Sequence, residues 1–135
     1  ITDLDLQDNP IGICNDGARL LARFLENNAL PSLTRLSLYQ CCISDDGFIA
    51  LVSALEQNVS LLQLDLGHTF GRRSSRDVGE RAFLALAKSL PDIKVLQRLD
   101  LTWCIGLASV TPLLLAGLRK NTSLFRFHVA GGAPS

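Results

Sequence analysis

The sequence predicts an α/β fold: a curved solenoid with a parallel sheet on its concave face and helices on its convex face. Three observations predict it: a short apolar motif recurs along the chain, apolar and polar residues alternate within each copy, and an amphipathic helical segment separates successive copies. The 135 residues are 47% hydrophobic and 19% charged, a composition typical of a globular chain. We therefore expect residues 1–135 to form a single repeat segment.

The recurring motif is most regular in residues 33–43, which read LTRLSLYQCCI. The intervals between the fourth residues of successive copies are 32, 28, 35 and 28, that is, 28 residues with insertions of four and seven. Periods of this size indicate a solenoid in which each repeat buries its apolar face only against its neighbours. The sequence holds about four repeats and a partial fifth, aligned on Leu4, Leu36, Leu64, Leu99 and Phe127.

Each copy contains a short predicted strand, at residues 4–6, 36–38, 64–66, 99–101 and 127–129. Because successive side chains of a strand point to opposite faces, the alternation predicts one buried face and one solvent-facing (wet) face. A helix between consecutive strands makes neighbouring strands parallel, with right-handed crossovers. Helices are wider than strands, so we expect the stack to curve with the sheet on the inside.

The segments between the strands have helical periodicity. We predict helices near residues 16–27, 45–57, 80–90 and 112–120. The second has apolar residues at the i, i+3, i+4, i+7 spacing of a helix with one buried face, namely Phe48, Leu51, Val52 and Leu55.

Cap and turn residues agree with these helices. Ser44 and Thr111 each stand where an N-cap is needed, and Thr111 precedes a proline. Pro91 is expected to end the third helix because it lacks a backbone N–H. Asn58 and Asn121 occupy turns after helices, where we expect left-handed backbone. Both also begin Asn-x-Ser glycosylation sequences, but their shared turn position explains them without a sugar.

The ninth motif position carries Asn9, Cys41, Thr69 and Cys104 in the first four copies. Such side chains are expected to point inward and bond backbone groups of the adjacent turn. With the LxxLxL pattern before them, these residues closely resemble the ribonuclease-inhibitor-like class of leucine-rich repeats, over essentially the whole chain. The eleventh position departs from that pattern at Gly71 and Gly106.

The resemblance implies a function in protein binding on the concave face and its rim. Members of the class include an inhibitor of ribonucleases, innate immune receptors and activators of small GTPases, so the partner's identity stays open. Two alternatives remain: a regulatory segment resembling the Ran type of GTPase-activating protein, or spacer repeats of a receptor-like protein. Because the sequence begins and ends inside repeats, we expect it to be a fragment of a larger array.

The wet positions of the strands define a candidate binding surface. Motif position three is mainly basic and position five mainly acidic, which places two charged columns side by side. Aromatic residues follow at positions seven and eight, and aromatic residues and arginine commonly anchor protein interfaces. Alternatively, the charges pair across strands and keep the sheet soluble. The candidate residues are Tyr39, Asp65, His68, Arg98, Asp100 and Trp103.

Composition and motifs argue against several other functions. Thirteen basic and thirteen acidic residues balance, so we expect no nucleic-acid or membrane partner. No apolar run approaches the ~20 residues of a membrane-spanning helix. The two histidines have no suitably placed nucleophile, and a shallow sheet encloses little volume, so we expect no enzymatic activity, small-molecule ligand, cofactor or metal.

The four cysteines predict a reducing environment. Cys41 and Cys104 occupy equivalent positions two strands apart, about 10 Å, which exceeds the reach of a disulfide. Neither a Cys-x-x-Cys pair nor a zinc ligand set is present. Four reduced thiols indicate a cytosolic or nuclear setting, and of the two we expect a cytoplasmic location.

An insertion near residues 67–79 is the most individual stretch of the sequence. It carries Arg72, Arg73 and Arg76, and residues 72–75 match a short kinase-site pattern. The simplest interpretation is a solvated loop. The alternative is a basic contact for an acidic partner.

Overall fold

A computed structural model describes residues 1–9, 14–41, 43–67, 80–101 and 110–128 of the chain. Its five strands form one parallel sheet in sequence order, as the repeat predicts. The register aligns the fourth motif residue of every copy across all four strand pairs. The strands are β1 (Asp3–Asp5), β2 (Arg35–Ser37), β3 (Gln63–Asp65), β4 (Arg98–Asp100) and β5 (Arg126–His128).

Each strand begins one residue earlier than predicted. The strand bounds depend on where the hydrogen bonds between strands begin, and the alternation of apolar residues does not indicate that point. The backbone amide at motif position three already donates a hydrogen bond to the residue just before the preceding strand, as from Arg35 N to Thr2 O at 3.1 Å. The apolar sixth position continues the ladder beyond the strand, as from Leu38 N to Asp65 O at 2.8 Å. The wet and buried faces are therefore those that the sequence predicts.

In the described ranges, an α-helix lies between each strand and the next, and the bounds of each helix are close to the predicted ones. They are α1 (Cys14–Glu26), α2 (Asp45–Leu55), α3 (Glu80–Ser89) and α4 (Thr111–Lys120). As predicted, α3 ends before Pro91, which lies in a short 3₁₀ turn (Leu90–Asp92).

The core lies between the sheet and the helices. Leucines at motif positions four and six of the central strands are almost completely buried, and the apolar stripes of the helices cover them. Phe48 of α2 and Phe83 of α3 meet edge to face, with ring centroids 5.6 Å apart. This contact joins the second repeat to the third, so the core is continuous along the stack.

The cap of α2 comes from the preceding repeat. Ser44 is the N-cap residue, but its side chain makes no capping bond, so that part of the prediction is wrong. Instead, Asn15 Oδ1 accepts from the amides of Ser44 at 3.0 Å and Gly47 at 3.1 Å. A Cβ on Gly47 would lie 2.6 Å from the same oxygen, so the glycine lets α1 and α2 approach.

Two further local predictions are wrong. The N-cap of α4 is Val110, and Thr111 is already helical. Asn121 is extended (φ −77°, ψ 136°), and Asn58 is also absent from the left-handed region, which Asn28 adopts instead.

Asn58 and Asn121 hold the repeats together through their side chains. Asn58 Nδ2 donates to Leu25 O at 3.1 Å, and Asn121 Nδ2 donates to Leu90 O at 2.8 Å, each in the preceding repeat. Their Oδ1 atoms accept amides of the turns that follow. These bonds satisfy buried backbone groups, and they account for both Asn-x-Ser sequences by turn chemistry.

Candidate functional site

The concave face carries two rows of wet side chains. The parallel register sets equivalent residues of neighbouring strands side by side. The rows line a shallow depression of about 500 Å³ across all five strands. One row comprises Asp3, Arg35, Gln63, Arg98 and Arg126; the other comprises Asp5, Ser37, Asp65, Asp100 and His128.

Two carboxylates meet at the centre of the second row. Asp65 and Asp100 are register partners on β3 and β4. Partial burial raises the pKa of Asp65, a hydrogen bond from Gly67 N–H (2.8 Å) opposes the shift, and the charges of Asp100 and Asp5 add to it. An ionised Asp65 is therefore stabilised by a cation placed beside it.

The arginines of the first row differ in their partners. Arg35 lies 3.6 Å from Asp3 on the neighbouring strand. Arg98 and Arg126 are register partners, and neither forms an ion pair within the described part of the chain. The expected cross-strand pairing therefore holds for Arg35 but not for the two arginines of β4 and β5.

One more charged contact lies in the second row. His128 Nδ1 is 3.6 Å from Asp100 Oδ2, an ion pair when the imidazole is protonated. Both side chains are substantially exposed, so water screens this contact strongly.

The structure brings together three of the six predicted binding residues. Asp65, Arg98 and Asp100 all line the depression. Tyr39 lies two residues beyond β2, half-buried, and its carbonyl accepts Asp8 N–H at 2.8 Å. His68 and Trp103 fall outside the described residues, as does the insertion with its three arginines.

Arg126 also lines the depression but is not among the binding residues predicted from the sequence. It lies on β5 beside Arg98, its register partner on the neighbouring strand β4. The sequence does contain a signal for Arg126, because it occupies the same motif position, position three, as Arg98. Side-chain pairing, which distinguishes Arg98 and Arg126 from Arg35, is not visible in a motif.

Cys41 belongs to the core, not to the surface. Its thiol is fully buried, and Sγ donates to Leu6 O of the preceding repeat at 3.0 Å. Asn9, at the equivalent position, bonds instead within its own turn, to Leu6 O at 2.8 Å. In the described ranges, no group of three or more His, Cys, Asp or Glu side chains is arranged to hold a metal ion.

Comparison with known proteins agrees with this architecture. Residues 29–52 match a family described as "Leucine Rich repeat". The chain is a leucine-rich repeat protein. Leucine-rich repeats are generally protein–protein interaction modules and are typically non-enzymatic.

A mouse (Mus musculus) relative is named "NACHT, LRR and PYD domains-containing protein 12". It is 33% identical over 132 residues, which cover 92% of this leucine-rich repeat chain. The match spans 11% of the relative's own length. Among the helices described for the present chain, none has the length and apolar character needed to cross a membrane.

Proposed function

We propose that this leucine-rich repeat chain binds a protein partner on the concave face of β3, β4 and β5 and on the adjacent rim. One observation carries the proposal: Arg98 and Arg126 lie side by side without an ion-pair partner in the described residues, next to the carboxylates of Asp65 and Asp100. Arginine is enriched at interface hot spots, and charges of both signs fix a partner's orientation.

The charge pattern describes the partner's surface. Acidic side chains would face Arg98 and Arg126, and a basic side chain would face Asp65 and Asp100. A cation beside Asp65 would lower its raised pKa, so binding at a pH near that pKa would release a proton. The partner would consequently bind more tightly as the pH rises through the pKa of the free Asp65.

Charge reversal of the arginine pair tests the proposal. We expect Arg98→Glu with Arg126→Glu to remove the partner from affinity captures with the chain as bait, and to weaken binding of the purified partner roughly thirtyfold or more. The matched control is Arg23→Glu with Arg119→Glu, because both residues are exposed on convex helices. An unchanged set of captured proteins in the concave variant would refute the proposed face.

The rim residues belong to the same proposed surface. Tyr39, His68 and Trp103 follow neighbouring strands at motif positions seven and eight, and large aromatic side chains supply contact area at interfaces. Combined Trp103→Ala and Asp100→Ala substitution is expected to change the captured set, measured by quantitative mass spectrometry. If only the arginine variant changes it, the rim does not take part.

We also propose that the repeats belong to the ribonuclease-inhibitor-like class and work in the cytoplasm. An α-helix of 10 to 13 residues in each described repeat supports the class. The Cys41 thiol, which is buried and hydrogen-bonded to Leu6 O, supports a reducing compartment. Fractionation of cells that express the tagged protein tests the location, and recovery in the secreted fraction would contradict it.

A second candidate role is that of spacer repeats in a receptor-like protein. The name of the mouse relative favours it, because that protein combines its repeats with NACHT and PYD domains. In this role recognition lies elsewhere, and the concave arginine variant captures the same proteins as the unmodified chain. The full sequence of the gene product tests whether the same domains accompany these repeats.

A further inference from the structure

The convex surface contains a groove of about 290 Å³ between α3 and α4. Its walls are apolar, formed by Leu84 and Pro91 on one side and Leu113 on the other. Lys88 and Lys120, both exposed, stand at its rim. The side chain of Leu113 is 55% exposed, so this wall of the groove is accessible to a ligand.

Gly117 explains why the groove is open. A Cβ at this position would lie 2.6 Å from Ala87 O and 3.2 Å from Leu90 Cδ1, so α4 approaches the backbone of α3 closely here. Four residues earlier, Leu113 lies on the same face of α4. Gly117 and the small side chains of Ala87 and Ala116 therefore leave the space between Leu84 and Leu113 unfilled.

The groove differs from the rest of the convex surface in its charges. Between α1, α2 and α3, opposite charges cross the junctions: Arg19 lies 3.6 Å and Arg81 3.5 Å from the carboxylate of Asp46. At the α3–α4 groove, Lys88 and Lys120 have no carboxylate within ion-pair distance among the described residues.

No acidic residue of the described helices neutralises this groove. α4 contains none, and its last turn carries Arg119 and Lys120. Asp92 follows Pro91 in the 3₁₀ turn but does not line the groove. An apolar slot with an uncompensated basic rim is complementary to a ligand that carries an apolar centre and negative flanks.

We propose that the α3–α4 groove binds an acidic amphipathic peptide segment of a partner protein. An apolar side chain of the segment would lie over Gly117, between Leu84 and Leu113. Flanking carboxylates would pair with Lys88 and Lys120. This site lies on the opposite side of the molecule from the concave face and does not rest on the function proposed for that face.

The test uses a fluorescent peptide whose helical form carries leucines on one face and glutamates on both flanks. We expect the chain to bind it, and we expect Lys88→Glu with Lys120→Glu to weaken binding at least about tenfold, measured by fluorescence anisotropy. Leu113→Ser is expected to weaken binding to a similar extent, because it removes one apolar wall. Peptide binding should shift amide resonances of α3 and α4 in NMR spectra.

The controls are matched in type and exposure. Leu20→Ser on α1 replaces a leucine that is 50% exposed, and Arg23→Glu reverses an exposed charge of the same helix. Both should bind the peptide normally, as should Arg98→Glu on the concave face. Circular dichroism before each titration confirms that every variant is folded.

Several outcomes would overturn the proposal. Absence of peptide binding would do so, and so would equal binding of a peptide with lysines in place of the glutamates. Tighter, Lys88-dependent binding to phosphatidylserine vesicles would assign the groove to a membrane surface. Dimerisation that is lost in Leu113→Ser, seen by analytical ultracentrifugation, would assign it to a second copy of the chain.

Discussion

The two ends of the sheet have the same backbone arrangement but different charge pairing. On β1 and β2, Arg35 lies beside Asp3. On β4 and β5, the equivalent Arg98 and Arg126 lie beside each other. Every copy must supply an apolar residue, usually leucine, at the core positions, whereas the solvent-facing positions are free to vary. The difference therefore separates what the repeat needs for folding from what can vary on the concave surface without affecting the core.

On the convex surface, the α1–α2 and α3–α4 junctions also differ in their charge pairing. The α1–α2 junction is closed by the Asn15 cap and by charge pairs that include Arg19 and Asp46. At the α3–α4 junction Gly117 allows a close approach to the backbone of α3, but the surface of the junction is left apolar and basic. Substitutions in the shared core should damage both ends of the molecule, while substitutions in the wet positions should damage only one activity.

The largest expected effect is that of Phe83→Ala, which attacks the core that both ends share. Phe83 is fully buried and meets Phe48 across the α2–α3 junction. We expect the free energy of unfolding to fall by about 3–5 kcal/mol, measured by urea denaturation. Phe125, 70% exposed, provides the matched control, and Phe125→Ala should be nearly neutral. Equal losses in the two variants would contradict a continuous core.

The second effect tests the junction at the N-terminal end. Asn15→Ala leaves the amides of Ser44 and Gly47 without their acceptor. We expect a loss of about 1–2 kcal/mol in the free energy of unfolding, with earlier fraying of α2 in hydrogen exchange. Asn9→Ala is the control, because Asn9 is exposed and bonds only within its own turn. A smaller loss for Asn15 than for Asn9 would show that the cap from the preceding repeat is unimportant.

The residues in these two predictions show which parts of the fold can be predicted from the sequence and which cannot. The leucine positions determine strand order and register because each repeat has one way to bury Leu36, Leu64 and Leu99 against its neighbours. The cap of α2 was not predictable, because Asn15 lies 29 residues before Ser44, and only the packing of two helices brings them together. Likewise, Asn58 and Asn121 read as left-handed turn residues, yet their amide groups bond preceding repeats from other backbone conformations.

The arrangement of the candidate site was predictable to a similar degree, although binding there stays a prediction. The motif columns place Asp65, Arg98 and Asp100 on one wet face, and the structure has them there. Charge pairing depends on side-chain positions, so the difference between Arg35 and Arg98 emerges only from the distances. The α3–α4 groove could not be anticipated either, because Gly117 reads as a weak helix residue and not as a point of helix contact.

The third effect is the pH dependence that Asp65 creates. Burial raises the pKa of Asp65 in the folded chain, so ionised Asp65 lowers the stability above that pKa. This cost disappears as the pH falls through the raised pKa. Asp65→Asn keeps an acceptor for Gly67 N–H and should raise the free energy of unfolding at neutral pH, by less than about 1 kcal/mol because water screens a half-exposed group. Urea titrations at neutral and acidic pH check it: a gain that persists in acid would point to another cause.

The smallest effect belongs to the ion pairs of the convex surface. Asp46→Asn removes the partner of both Arg19 and Arg81, whose side chains are all about half exposed or more. We expect a loss of at most about 0.5 kcal/mol at low ionic strength that shrinks as salt is added, because screening weakens exposed pairs. Lys88→Gln at the unpaired groove should show no such loss, and its stability should not depend on salt in the same way. If the two variants respond alike, the charge contrast between the α1–α2 and α3–α4 surfaces has no energetic meaning, and the basic rim loses its value as an argument for an acidic ligand.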